Sequence, residues 1–182
     1  VVVNIRENLD LIPANEDSTG LLPLLYSDNN GKYKLKEALK PLKKSYDFIF
    51  IDSSAYPTCH IMPLIASDYV LIPSKPDGKS IDSTKATLES YLSIKEQFNP
   101  NLQVLAVVEN GYSNRKNNLS KASLSATEML CKMLNVTCAK TKIPQNTDIG
   151  QTVLYCAGIT ETNPKSAGAK GIIALSNELF GI

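Results

Sequence analysis

Apolar residues in this chain come in short, nearly continuous runs, and three of them lie in Phe48–Ile51, Asp68–Pro73 and Leu102–Val108. Between them stand stretches with helical spacing: Lys34–Lys44, with leucines at 35, 39 and 42, and Ser83–Phe98, with Leu88, Tyr91, Leu92 and Ile94. A strand wetted on one face alternates apolar and polar residues, whereas one covered on both faces reads as a continuous apolar run. Strands of the second kind, separated by helices, constrain the chain to an α/β layer fold. The expected architecture is doubly wound, a mostly parallel sheet with helices on both faces. Leu9–Ala14 and Val136–Ile143 complete the expected strands. Ile61–Ala66, Leu119–Leu134 and Ser166–Phe180 complete the expected helices. Pro41 should end or kink the Lys34–Lys44 helix, and Asn99-Pro100 should close the next one.

The 182 residues suit one domain with a sizeable core. A net charge of +1 gives no global basic field, so any nucleic-acid contact must come from a local patch. Arg6 and Arg115 are the only arginines. Cys59, Cys131, Cys138 and Cys156 form no C-x-x-C pair, and with His60 they make no plausible zinc set. They read as reduced, small apolar residues of a cytoplasmic protein. No apolar run has the length of a membrane span, and no secretory signal is visible. The chain opens on Val1 rather than methionine, which suggests a fragment.

In doubly wound sheets, ligands gather at the carboxyl ends of the strands. Asp52, Pro73–Asp77, Glu109–Arg115 and Pro144–Asp148 all fall there. Asp52 follows four apolar residues directly and precedes Ser53 and Ser54. Such a carboxylate suits a magnesium ion beside a nucleotide phosphate. Taken alone, the stretch suits a cap on the following turn slightly better. His60 reads as an ordinary helix-start residue, and Asp77 and Asp82 as turn-shaping and capping residues.

The order of several blocks resembles the ParA/Soj partition ATPases of the ParA/MinD deviant-Walker P-loop family. These blocks are ENLDLIPA (7–14), LKEALKPLKKSYDFIFIDSS (35–54), ASDYVLIPSKPD (66–77), FNPNLQVLAVV (98–108), YSNRKNNLSK (112–121), KIPQNTDIGQ (142–151) and NPKSAGAKGIIALSNEL (163–179). No G-x-x-x-x-G-K-[ST] phosphate loop occurs, so the resemblance implies roughly the C-terminal two-thirds of one such ATPase domain, spanning 1–182. On that reading these 182 residues alone are not expected to hydrolyse ATP.

The resemblance assigns roles position by position. Asp52 matches the Walker B aspartate, which orients magnesium and its water. The family continues with Thr-Pro-Pro where this chain has Ser53-Ser54-Ala55. Asn110 matches an asparagine that pairs with the adenine edge, and Asn110-Gly111 read by itself is equally a turn. Pro144, Gln145 and Asn146 match Ile-Pro-Arg-Asn, which flanks the adenine, with Gln145 in place of arginine. Arg115 matches an arginine used for sequence-independent DNA contact. A second such arginine falls at Asp148, whose charge should weaken DNA binding and flatten its salt dependence. Lys116, Lys121, Lys140 and Lys142 could compensate, although surface lysines are usually only solvated.

The last helix has apolar residues at 172, 173, 175, 179 and 180 but only Lys170 as a basic residue, so it suits packing rather than a membrane surface. The implied activity is an ATP- and magnesium-dependent switch for partitioning plasmid or chromosome DNA. It implies a nucleotide-sandwich homodimer, a ParB-like partner that stimulates hydrolysis, and no membrane. A non-hydrolysing DNA- or protein-binding scaffold is the alternative, and an unrelated α/β enzyme with its site on the same rim is a second one.

Overall fold

The computed structural model describes residues 1–14, 25, 27, 28, 30–53, 60–113 and 118–181. The chain divides into two compact units, Val1–Ser67 and Asp68–Ile182.

The first unit opens with an antiparallel hairpin of β1 (Val3–Arg6) and β2 (Leu9–Leu11). Asn8 takes φ 60° at its turn, a left-handed conformation that asparagine tolerates. The apolar pattern of Leu9–Ala14 thus yields a strand only as far as Leu11, and it gives no sign of β1. Asn4 Nδ2 donates to Asp10 Oδ1 at 2.7 Å, and the Tyr46 hydroxyl donates to the same carboxylate. These bonds, Tyr46 first, hold the Asp10 carboxyl below its ordinary value, and the bond to Asp10 pushes the Tyr46 phenol up.

Helix α1 (Lys34–Leu39) lies between 3-10 turns at Gly31–Tyr33 and Leu42–Lys44, with Pro41 ending it as expected. It packs on α2 (Ile61–Ala66). Leu39, Met62, Leu64, Ile65 and Ala66 are buried. The expected strand Phe48–Ile51 belongs to neither sheet. Phe48 is 50% and Phe50 77% exposed, their rings stacked with centroids 6.1 Å apart. A strand needs a neighbouring backbone at hydrogen-bonding distance, and apolar composition does not supply one.

The second unit holds a parallel sheet in the order β3 (Tyr69–Ser74), β4 (Gln103–Tyr112), β5 (Ile143–Pro144). Helix α3 (Gly78–Gln97) starts before Ser83 because Asp77 caps it, Oδ1 accepting from the Ser80 N–H at 2.8 Å. Asp82 lies within the helix rather than capping it. Helix α4 (Asn118–Met133) matches expectation closely. On one face of the sheet, Ile72, Leu88, Val107 and Cys131 form a buried cluster. On the other, Ala106, Val108, Ala139 and Ile143 meet Ile149, Leu175 and Leu179. β4 is therefore covered on both sides, as its continuous apolar run requires.

The expected strand Val136–Ile143 is mostly absent. Cys138 makes an isolated parallel bridge with Val107, and regular pairing resumes only at β5. In between, Glu178 takes the backbone N–H groups of Lys140 and Thr141, each at 2.7 Å, so those donors leave the ladder. Two further helices, α5 (Thr147–Tyr155) and α6 (Ile159–Thr162), precede α7 (Ala167–Phe180). Ser166 caps α7 by accepting from the Ala169 N–H at 3.0 Å. Parallel sheet, helical layers and the carboxyl-end rim are those of a doubly wound α/β fold.

Candidate functional site

The rim of the second unit is built where β3, β4 and β5 end. Asn110 and Gly111 are not a turn: they lie inside β4. Gly111 has φ +85°, a conformation that costs little only without a Cβ. The pairing register shifts there, between Asn110↔Ile143 and Tyr112↔Pro144. This bulge leaves Asn110 exposed at the rim. The next step is tied by the Gln145 N–H, which donates to the Tyr112 carbonyl at 2.7 Å. Asn110, Pro144 and Gln145 are thus held on adjacent strand ends.

Asn146 has a defined local task as well. Its Oδ1 accepts from the Asp148 N–H at 2.7 Å and starts α5. Asp148 Oδ2 in turn accepts from Asn163 Nδ2 at 3.0 Å. Helix α7 approaches this corner closely: a Cβ on Gly171 would lie 2.8 Å from Pro144 Cδ. Lys142 is engaged, 3.7 Å from the Glu128 carboxylate and 5.6 Å from the centre of the Tyr112 ring.

Asp77 completes the rim at β3. Its hydrogen bond from Ser80 holds the carboxyl below its ordinary value, and its carbonyl accepts from Ser123 Oγ at 3.0 Å. Behind exposed Asp77, buried Ser74 and Thr84 share a hydrogen bond of 3.0 Å.

Glu109, one residue before Asn110, fell within the expected rim but was given no role from the sequence. It is 2% exposed, and neither carboxylate oxygen has a hydrogen-bond partner. Burial pushes its pKa up, with the charges of Glu128 and Asp77 adding to this. Thr127 and Lys142 oppose the rise, but the Thr127 hydroxyl donates to the Ser123 carbonyl at 3.1 Å. The available signal was an acid at the end of Leu102–Val108, the same pattern that drew attention to Asp52.

Asp52 lies in the first unit, exposed, directly after the Phe48–Ile51 run. His60 stands at the start of α2, as expected. Arg115, Lys116 and the Ser54-Ala55 segment lie outside the described residues. The described residues contain no cluster of His, Cys, Asp or Glu fit to hold a metal ion by themselves.

Residues 1–104 match the family model described as AAA domain. The chain belongs to this family, as a ParA/MinD-type P-loop ATPase. The sporulation initiation inhibitor protein Soj of Bacillus subtilis is 27% identical over 95% of the chain and 67% of its own length. An uncharacterised protein of Methanocaldococcus jannaschii is 34% identical over 62% of the chain and 44% of its own length. The chain thus spans between 44% and 67% of the length of the first relatives it matches.

Among solved structures, McdA of Cyanothece, in complex with ATP, superposes with a TM-score of 0.83 at 23% identity, over 100% of this chain and 70% of that one. The cobyrinic acid a,c-diamide synthase of Mycobacterium smegmatis, with bound ADP and magnesium, gives 0.68 at 20% identity, over 90% and 67%. Both likenesses concern the fold.

Proposed function

We propose that the whole protein is an ATP-dependent partition switch for plasmid or chromosome DNA. ATP would bind with its base at the carboxyl-end rim of the second unit, and the two units are read as parts of one ATPase domain. The observation that carries this reading is the Asn110–Gly111 bulge. It exposes a side-chain amide beside Pro144 and Gln145 at a strand end, where an adenine edge can be read by hydrogen bonds and flanked by apolar surface. Asn146 supports this edge from the start of α5.

Asp52 is the residue that would help to hold magnesium. The metal's role is to neutralise charge developing on the phosphates, so catalysis is mostly positioning and electrostatic stabilisation. Two subunits join face to face across the nucleotides. A ParB-like partner stimulates hydrolysis, and the dimer holds DNA through Arg115, weakened by the carboxylate of Asp148. Use of α7 for core packing, through Leu175 and Leu179, supports a cytoplasmic DNA-bound cycle over a membrane-surface one.

The test is ATP turnover by the whole protein, with and without DNA and a ParB-like partner, in wild type and Asp52→Ala. Slow hydrolysis that rises with partner and falls at least tenfold in the variant is the expected result. Nucleotide binding that is indifferent to Asp52, with no turnover in either protein, would refute the switch. It would leave the scaffold reading, in which Asp52 caps a turn.

A further inference from the structure

The first unit carries a density of positive charge that no other stretch of the chain matches. Six lysines, at 32, 34, 36, 40, 43 and 44, fall within the 13 residues 32–44, against the single acid Glu37. The segment is thus net +5 in a chain of net +1, so the rest of the chain is net acidic. The fold turns the leucines of this segment inward and leaves most of the lysines in solvent. Leu39 is buried, Leu35 and Leu42 are half-buried, and α1 packs on α2. Lys34, Lys36, Lys40, Lys43 and Lys44 are all exposed. Lys36 and Lys40 are neighbours on the helix surface, one turn apart, and Lys43 and Lys44 follow in the 3-10 turn after Pro41.

These charges are not balanced within the fold. Glu37 is taken by Lys34, at 4.0 Å. Lys36, Lys40 and Lys44 have no carboxylate partner among the described residues. One cation near the carboxyl end of a helix complements its dipole, but a helix of six residues has no use for six lysines. Like charges at this density repel one another, a cost that a bound polyanion removes.

From this surface we infer that residues 32–44 are a contact for the phosphate backbone of double-stranded DNA, separate from Arg115, with Lys36, Lys40 and Lys44 as its principal groups. The inference rests on the proposed DNA-partition role and adds to it a second place where DNA is held. The residue types fit a contact blind to sequence. Lysine is a compact point charge on a flexible stem, and it pairs with any phosphate. The segment has no arginine, asparagine or glutamine, the side chains that commonly read base edges. A membrane is the poorer match. An interfacial helix inserts an apolar face between lipids, whereas here that face is packed against α2.

The test is binding of the whole protein, with ATP and magnesium, to a fluorescent DNA duplex of arbitrary sequence over a range of salt concentrations. The triple variant Lys36→Gln, Lys40→Gln, Lys44→Gln should bind at least tenfold more weakly at about 0.1 M salt. The slope of its log affinity against log salt should be shallower by about 3, one counterion for each lost phosphate contact. Arginine at the same three positions keeps the charge and should keep both the affinity and the slope. Lys85→Gln, Lys132→Gln, Lys165→Gln removes as much charge elsewhere and should leave the slope unchanged. An unaltered slope in the first variant, or an equal fall in the last, would overturn the inference and leave the partition reading standing. Wild-type protein that binds no DNA would overturn both. Binding to vesicles of phosphatidylglycerol and phosphatidylcholine that the first variant loses, with its DNA affinity intact, would overturn the inference in favour of a lipid surface.

Discussion

Replacing Glu109 by glutamine isolates the energetic role of its buried charge. The carboxyl is 2% exposed and makes no hydrogen bond through either oxygen. In the unfolded chain it titrates near the ordinary value of about 4.5, and in the folded protein burial raises its pKa. The neutral form is thus the one that folding prefers. Its contribution to stability is fully present below about pH 4.5 and is lost as pH rises through the folded value. Glutamine keeps the shape and removes the ionisation. Burying a carboxylate without hydrogen bonds costs several kcal/mol, offset here in part by Lys142. We therefore expect Glu109→Gln to match wild type near pH 4 and to exceed it by about 2 kcal/mol at pH 8, or about 4–8 °C in Tm. Urea melts of both proteins across pH 4 to 8 measure the difference, in which all other titrations cancel. A variant that is less stable at pH 8, or a gap independent of pH, would refute the reasoning and show that Glu109 finds a partner in its charged form.

Gly171→Ala tests the approach of α7 to β5. Alanine in a helix is ordinarily favourable by about 1 kcal/mol, but its Cβ would meet a proline ring atom. That atom, Pro144 Cδ, lies 2.8 Å away and cannot swing aside. A net loss of about 1–2 kcal/mol in a denaturant melt is expected, and a gain would mean that α7 shifts freely. Glu178→Ala removes the acceptor for the Lys140 and Thr141 N–H groups. The side chain is exposed, so the loss should be near 1 kcal/mol after solvent screening. Thr141 first, then the backbone donors, hold its carboxyl below the ordinary value. Its contribution is therefore present above about pH 4.5 and disappears as pH falls through the lower folded value, so the two proteins should converge in acid melts.

What the sequence determined by itself are the elements whose causes are local. The apolar runs at 68–73 and 102–108 became β3 and the buried part of β4, since continuous apolar sequence suits a strand covered on both faces. The helices at 118–133 and 167–180 came from spacing and, for the second, from the Ser166 cap. Pro41 ended a helix because its ring removes a donor wherever it sits. The candidate rim followed from the same pattern, since a parallel sheet collects its polar strand ends on one side.

Everything that depends on a distant partner was decided by the tertiary structure. Phe48–Ile51 is as apolar as β3, yet it lies in neither sheet, because a ladder is a property of two backbones. Val136–Ile143 lost most of its strand to a carboxylate on α7, far along the chain. Asn110-Gly111 proved to be a bulge rather than a turn, since β5 continues the pairing beyond it. Glu109 and Asn110 are neighbours in sequence, but the pleat sends one carboxylate into the helices and leaves the other side chain at the rim. That Cys131 and Cys138 both pack on the cluster around Val107 likewise needed the left-handed turn at Asn135 and the pairing of Cys138 with Val107. Local propensity acts through bonds near in sequence, whereas burial, pairing and charge depend on what the fold brings near in space.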